Sequence, residues 1–364
     1  MRQHEAREGW DYYDVHGVAG VWVESDAPGA AQLREMLACF RVSEAPKQDV
    51  VVTSRTDDTS LDARLEDDLR YGPDRVEFVR EGVQVVRGAD GYRVQGDGEL
   101  LTAVVPVLDR VCVERGAAMI HAATVGWRGR AVALPAAGGT GKTSTIAKLT
   151  RRPGFSFMGD DWAFLGADGR LLGYEKPMFI KPHHRDIYPH MFKGVRKPMV
   201  PVRWSRPLGR LTTVVHPMVV RYPRLAALAR RWSPEHRTVS AATALPGVAV
   251  TDDAPLALCV YVERHGGGET AVVPVDADWM ADRMLGNFFV EMASFSREIV
   301  TGLAATSVLP WKEYADDKFA VLRSGLEGVP CYLLQVPAAF TPDRASDQVV
   351  EALEALLPTP AATP

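Results

Sequence analysis

Residues 136–143 of this 364-residue chain are Ala-Ala-Gly-Gly-Thr-Gly-Lys-Thr. The stretch matches the phosphate-loop pattern G-x-x-x-x-G-K-[ST] at Gly141, Lys142 and Thr143, with Ala136 in place of the first glycine. Glycines let successive backbone N–H groups converge on a polyphosphate, and a helix that follows presents its positive N-terminal end. The stretch therefore predicts a site for the phosphates of a nucleotide.

Each position of the loop has an expected role if the nucleotide is ATP. Lys142 would neutralise the β and γ phosphate oxygens, and the Thr143 hydroxyl would hold Mg²⁺. The other interpretation is a glycine-rich turn that contains Lys-Thr by chance, but the strand and helix predicted on either side argue against it. The remaining residues expected to contact the nucleotide are Gly138, Gly139, Thr140, Gly141 and Ser144.

The segments next to the loop predict a strand before it and a helix after it. Two apolar runs, 119–125 and 131–134, are joined by the sequence Gly-Trp-Arg-Gly at 126–129, which is typical of a β-hairpin. Residues 144–149 predict the first turns of a helix, and 155–159 predict a further short strand. A loop between a strand and a helix is the arrangement that phosphate binding requires.

Two adjacent carboxylates, Asp160 and Asp161, follow the predicted strand 155–159. Asp160 lies 18 residues after Lys142, which leaves room for one helix and a return strand. Paired carboxylates in a loop can divide the work of accepting a proton and holding a metal ion. His121, on the hairpin strand before the loop, is a third candidate, although a single histidine in an apolar strand is usually a core residue.

These features together resemble the HPr kinase/phosphorylase and phosphoenolpyruvate carboxykinase superfamily. The shared pattern is a histidine on a strand, a hairpin, a glycine-rich loop, one helix and a strand that ends in paired aspartates. The resemblance covers about residues 100–182 and departs from the pattern G-x-S-G-x-G-K-[ST] at Ala136 and Gly138. It implies an α/β domain of α+β character with a mixed sheet, and a site that uses ATP and Mg²⁺.

The resemblance also implies a role for each matched side chain. Lys142 would bind the β and γ phosphates, and Thr143 and Asp161 would hold the metal. Asp160 would be the general base on the acceptor hydroxyl. His121 matches a histidine near the transferred phosphate in the kinases and on a second metal in the carboxykinases. The expected catalytic residues are therefore Asp160, His121 and Lys142.

The expected activity is transfer of the γ-phosphoryl group of ATP to a hydroxyl of a small metabolite or of a seryl group in a peptide or protein. Only Glu175 is a candidate for the family's later glutamate-containing segment, so the resemblance does not specify HPr as the acceptor. The chain is much shorter than a carboxykinase, so decarboxylation is not expected. The alternative is a regulator of the same fold that binds ATP without transferring phosphate; Asp160 and Asp161 argue against it, because binding alone needs no general base.

Hydrophobic periodicity predicts two parts, an N-terminal α+β lobe at 1–97 and the phosphate-loop domain at 98–364. In the lobe, we expect a helix at 33–40, strands at 18–23 and 50–52, and short strands within 76–96. In the second part, the spacing predicts helices at 101–112, 285–299, 315–323 and 343–357, and strands at 256–262 and 331–336.

The formal net charge of −4 is the sum of two regions of opposite sign. Residues 1–100 contain 21 acidic and 12 basic side chains, whereas residues 181–237 contain 2 and 13. We expect the basic segment 181–237 to be a lid-like insertion that contacts phosphate or an anionic acceptor. The alternatives are a solvated face and a nucleic-acid patch. The nucleic-acid patch is disfavoured because no helix-turn-helix or aromatic RNA-binding pattern is present. The candidate cations are Arg185, Lys193, Arg196, Lys197, Arg203, Arg206 and Arg210, with Lys181 and Arg264 as weaker ones.

The sequence predicts a cytoplasmic protein with no membrane partner. Its first residues are charged and no apolar run follows them, and no stretch approaches the about 18 to 20 apolar residues that cross a bilayer. Cys39, Cys112, Cys259 and Cys331 form no CxxC pair, so we expect reduced cysteines in the core. Disorder is expected at 358–364. The sequence leaves the oligomeric state open, a homo-oligomer included.

Overall fold

The computed structural model describes residues 7–54, 63–66, 68–180, 188, 237–295 and 297–357. It is a mixed α/β protein with two large mixed sheets, as the sequence predicts at this level of detail. The chain divides into two compact units, one formed by residues 1–176 and 248–364 and the other by residues 177–247. Most of the basic segment 181–237, with every candidate cation in it, lies outside the described residues, and so do residues 358–364.

The elements are numbered here in chain order. The strands are β1 (Trp10–Val15), β2 (Ala19–Glu24), β3 (Arg41–Val42), β4 (Val50–Thr53), β5 (Ala63–Glu66), β6 (Leu69–Tyr71), β7 (Arg75–Phe78), β8 (Val83–Arg87), β9 (Tyr92–Gly96), β10 (Ala117–Trp127), β11 (Arg130–Pro135), β12 (Phe155–Gly159), β13 (Trp162–Gly166), β14 (Arg170–Leu172), β15 (Met178–Ile180), β16 (Arg237–Val239), β17 (Asp253–His265), β18 (Ala271–Val275) and β19 (Cys331–Pro337). The helices are α1 (Ala31–Met36), α2 (Leu101–Glu114), α3 (Lys142–Leu149), α4 (Ala241–Ala244), α5 (Ala277–Phe295), α6 (Arg297–Ala305), α7 (Trp311–Gly325) and α8 (Pro342–Leu356).

The first sheet contains the strands that precede α2, in the order β3-β1-β2-β4-β9-β8-β7-β6-β5. Strands β2, β4 and β9 are parallel and the other neighbours are antiparallel. The predicted strands at 18–23, 50–52 and within 76–96 are confirmed. The predicted helix at 33–40 is shorter than expected, since α1 ends at Met36 and a 3-10 turn, Ala38–Phe40, follows.

The second sheet positions the candidate site through its long strand β10. Its strand order is β11-β10-β13-β14-β17-β19-β18, and β12 also pairs with β10. Along one edge, β10 pairs with β13 through Ala117–His121 and with β12 through Thr124–Trp127. The chain passes from β12 to β13 through Asp160 and Asp161, so these two residues lie beside the middle of β10. There the Ala122 N–H donates to the Asp161 carbonyl oxygen at 3.0 Å.

Helix α2 packs against β10 and α7, and its apolar stripe is buried as the spacing predicts. A charged cluster lies inside this packing. Asp109 and Lys318 are both fully buried, with the Lys318 Nζ 2.6 Å from the Asp109 Oδ2. Tyr314 donates to the same oxygen, and the Met119 N–H donates to the Asp109 Oδ1 at 2.6 Å. The cluster therefore ties β10 to two helices, two residues before His121.

The remaining predicted elements are confirmed. The predicted helix at 285–299 corresponds to the end of α5 and the start of α6, and residue 296 between them lies outside the described residues. Cys112, Cys259 and Cys331 are buried, but the prediction of a core position for Cys39 is wrong, because its 3-10 turn buries Phe40 and leaves Cys39 exposed. In the unit formed by residues 177–247, β15 pairs antiparallel with β16. Across the described parts of the chain, we find no helix with the length and apolar character needed to cross a membrane.

Candidate functional site

The phosphate loop connects β11 to α3, and its backbone shows why glycine is needed at two positions. Gly139 and Gly141 have φ values of 79° and 102°, in the region that side chains disfavour. A Cβ on Gly139 would meet no atom within 4 Å, so the loop leaves open space at its tip. Ala136, which replaces the first glycine of the pattern, has no left-handed φ and is fully buried at the end of β11. The alanine therefore introduces no backbone strain.

The side chains of the loop point inward and close it upon itself. Lys142 is buried, and its Nζ donates to the carbonyl oxygens of Ala136 at 2.6 Å and Ala137 at 3.1 Å. The Thr140 hydroxyl also donates to the Ala137 carbonyl, at 3.0 Å. Burial lowers the pKa of Lys142, although the neighbouring carboxylates favour its charged form. Ser144, an expected nucleotide contact, is buried in the first turn of α3.

Asp160 is a buried carboxylate with one oxygen on the phosphate loop. Its Oδ2 accepts a hydrogen bond from the Thr143 hydroxyl at 2.9 Å, and its Oδ1 is buried without a hydrogen-bond partner among the residues described. Burial and then the charge of Asp161 raise the pKa of Asp160 to about 6, against the opposing effects of Lys176, Thr143 and Lys142. Asp160 therefore changes its charge close to neutral pH.

Asp161 has the opposite electrostatic character. Its Oδ2 lies 3.1 Å from the Lys176 Nζ, and its Oδ1 lies 3.7 Å from the His121 Nε2. Burial alone would raise the pKa of Asp161, but Lys176, His121 and Lys142 together hold it below the ordinary aspartate value. Asp161 has a φ of 76°, in the region that side chains disfavour. Because its pKa is held low, Asp161 stays ionised at neutral pH.

The donors around Thr143 fit Mg²⁺. The carboxylate that accepts from the Thr143 hydroxyl is that of Asp160, whereas the sequence pairs Thr143 with Asp161 as metal ligands. Within the ranges the structure describes, no group of three or more His, Cys, Asp or Glu side chains comes together to hold a metal ion. Magnesium usually takes one or two carboxylates and completes its shell with water and substrate phosphates. A threonine hydroxyl beside a buried carboxylate with a free oxygen agrees with that preference.

Two side chains that the motif does not indicate reach the site from α5. Asn287 and Glu291 lie one helical turn apart. The Asn287 Nδ2 donates to the carbonyl oxygens of His121 at 3.0 Å and Ala136 at 3.3 Å. The Glu291 Oε1 accepts from the Gly138 N–H at 2.9 Å and lies 3.7 Å from the His121 Nδ1. The histidine strand and the loop are thus joined through one helix.

The comparisons with protein-family models and with curated proteins found no match for this chain. A function can therefore be argued only from the arrangement of the side chains. The structure brings His121, Lys142, Thr143, Asp160 and Asp161 into one site, through the contacts given above.

The other candidates are placed differently. Arg264 donates to the carbonyl oxygens of Ala338, at 3.2 Å, and Phe340, so it holds the turn after β19. Glu175 is half-buried, and burial followed by the charge of Asp252 raises its pKa. The residue of this segment that contacts Asp161 is its neighbour Lys176, which the sequence reasoning missed.

Proposed function

We propose that the protein is an ATP-dependent kinase with an HPr kinase-like fold, which transfers the γ-phosphoryl group to a hydroxyl acceptor. Asp160 carries the proposal. It is a buried carboxylate whose pKa is raised to about 6, with one oxygen on the phosphate loop and the other without a hydrogen-bond partner in the described structure. A general base works best when its pKa lies near the operating pH, because it is then both ionised and a good proton acceptor.

The loop supplies the binding site for the nucleotide. Backbone N–H groups around Gly139 and Gly141 and the first turn of α3 would surround the phosphates, and Lys142 would contribute the positive charge. Mg²⁺, held at the Thr143 hydroxyl with water and the phosphates completing its shell, would neutralise phosphate oxygens when bound.

The two aspartates divide the chemistry. Asp160 takes the proton of the acceptor hydroxyl while the hydroxyl oxygen forms a bond to the γ phosphorus. The bond from that phosphorus to the leaving oxygen of ADP breaks. Asp161 remains ionised, and its contacts with Lys176 and His121 hold these side chains in place beside the loop. Catalysis would then consist of positioning and electrostatic stabilisation. The acceptor is a small hydroxylated metabolite or a seryl group of a peptide or protein.

The test compares Asp160→Asn with the wild type in two separate measurements. Calorimetry with Mg-ATP measures nucleotide binding, and γ-labelled ATP with a cell extract, followed by mass identification of the labelled product, measures transfer. We expect the variant to bind ATP and to lose transfer by about 10²–10⁴-fold, the usual contribution of a general base. Asp282→Asn is the matched control, because Asp282 is an exposed aspartate on α5.

Two results would contradict the proposal in different ways. Transfer by Asp160→Asn at the wild-type rate would exclude Asp160 as the base. A wild-type protein that binds ATP but labels nothing across a broad set of acceptors would instead favour the regulator that binds ATP as a signal. Lys142→Ala is expected to lose ATP binding in either case, because both functions use the loop.

A further inference from the structure

Helix α5 contributes two polar side chains that the proposed transfer does not use. Most residues next to these two in α5 are apolar, and Phe288 and Met292 are buried in the core. Asn287 and Glu291 each come one residue before these, so they lie on the edge of the buried face that is nearest the loop. A polar pair at this spacing shares one side of a helix.

Asn287 fixes the distance between the strand of His121 and the start of the loop. It is 6% exposed, and its Nδ2 carries only two hydrogens. The Nδ2 lies within hydrogen-bond distance of the His121 carbonyl oxygen on β10 at 3.0 Å, the Ala136 carbonyl oxygen at the start of the loop at 3.3 Å, and the His121 Nδ1 at 3.4 Å. Ala136 also accepts from Lys142, so the same carbonyl connects α5 to the phosphate-binding lysine.

Glu291 holds the next part of the loop. Its Oε1 accepts from the Gly138 N–H at 2.9 Å, and a Cβ built on Gly138 would lie 3.3 Å from that same oxygen. Such a separation is tighter than ordinary van der Waals contact, so a side chain at this position would require the Glu291 oxygen to move by a few tenths of an ångström. The glycine at 138, where the resembling family has serine, is therefore matched to Glu291.

We propose that Asn287 and Glu291 are positioning residues, which hold the phosphate loop against the strand of His121 so that a nucleotide meets a preformed loop. The part of this inference that concerns nucleotide binding rests on the proposed function. The attachment of the loop to α5 can be tested without any nucleotide. Preformed loops bind more tightly, because ordering them costs nothing at the moment of binding.

The decisive comparison is between Glu291→Ala and Glu291→Gln. Both variants are neutral, so the effect of the lost charge is the same in each, but only glutamine keeps an oxygen that can accept from the Gly138 N–H. Hydrogen–deuterium exchange of the peptide that spans 136–143 measures the loop, and calorimetry with Mg-ATP measures affinity. Asp282→Asn serves as the control for a charge removed elsewhere on α5.

We expect the alanine variant to exchange faster in this peptide and to bind ATP about fivefold more weakly than the glutamine variant, the usual effect of one hydrogen bond. Gly138→Ser should change exchange and affinity in the same direction but by less, because its Cβ requires the Glu291 oxygen to move by only a few tenths of an ångström. Adding it to Glu291→Ala should cause little further loss.

Equal exchange and equal affinity in the two neutral variants would refute the positioning role. Tighter ATP binding by Glu291→Ala than by Glu291→Gln would also refute it, since the side chain would then obstruct the nucleotide. A wild type that binds no ATP would overturn the proposed function, and the exchange comparison would still decide whether Glu291 positions the loop.

Discussion

Replacing Asp160 with asparagine should stabilise the protein at neutral pH while removing the proposed base. The folded state raises the pKa of Asp160 from its ordinary value of 3.8 to about 6. A carboxyl group whose pKa is raised on folding contributes stability that is fully present below pH 3.8 and is lost as the pH rises through about 6. A difference of this size corresponds to about 3 kcal/mol at pH 7 and above.

Part of that gain is offset by the new amide. The Thr143 hydroxyl can still donate to the amide oxygen, but the amide nitrogen then lies where the Asp160 Oδ1 is buried without a partner in the described residues. An unsatisfied buried donor costs about 1–2 kcal/mol. The net stabilisation expected for Asp160→Asn is therefore about 1–2 kcal/mol, or a rise in Tm of about 1–3 °C.

Urea denaturation at pH 7.5 and at pH 5 measures both the size and the pH dependence of this effect. At pH 5 the part of the gain that comes from ionisation falls to about 1.6 kcal/mol, which the cost of the unsatisfied amide offsets, so the net gain should be near zero. Asp282→Asn should show no comparable dependence, because Asp282 is exposed. A variant that is less stable than the wild type at pH 7.5, or equally stabilised at both pH values, would refute the reasoning.

Three further substitutions test the surrounding structure by urea denaturation at pH 7.5. Asp161→Asn should cost about 2 kcal/mol, because Lys176 loses a carboxylate partner; a stabilised variant would contradict the ion pair. Lys318→Met should cost about 3–5 kcal/mol by removing the cation beside the buried Asp109, and adding Asp109→Asn should recover part of the loss; no recovery would contradict an electrostatic cause. Ala136→Gly should cost about 0.5–1 kcal/mol, because Ala136 has no left-handed backbone, and a gain would contradict that conformation.

The elements that could be predicted are those with a clear local pattern. The hairpin of β10 and β11, the helix α2 and the strand β12 follow apolar runs or a helical stripe that nearby turns delimit. Strand β1 was not predicted, because its sequence, Trp-Asp-Tyr-Tyr-Asp-Val, has no regular alternation. It is ordered by pairing with β2 and β3.

The candidate site could be predicted only where its residues are close together in the sequence. Lys142, Thr143 and Asp160 lie within one strand-helix-strand segment, so their proximity follows from the spacing. Asn287 and Glu291 are separated from Lys142 by more than a hundred residues, and the packing of α5 against β10 brings them to the loop. Without that packing, their helix has only the pattern of a core element, and a polar pair within it gives little indication of what it contacts.

The difference between the two aspartates also depends on three-dimensional structure, although they are adjacent and chemically identical. The Asp160 carboxylate contacts Thr143 and the Asp161 carboxylate contacts Lys176, and Asp161 has a φ of 76°. Glycine would adopt this backbone without the about 1 kcal/mol that a side chain costs, but it would lose the carboxylate. An aspartate at this position gives Lys176 an ionised partner. After burial, the charge of this aspartate is the next cause that raises the pKa of Asp160. The residue with the disfavoured backbone therefore adds to burial, the larger cause, in making its neighbour a base.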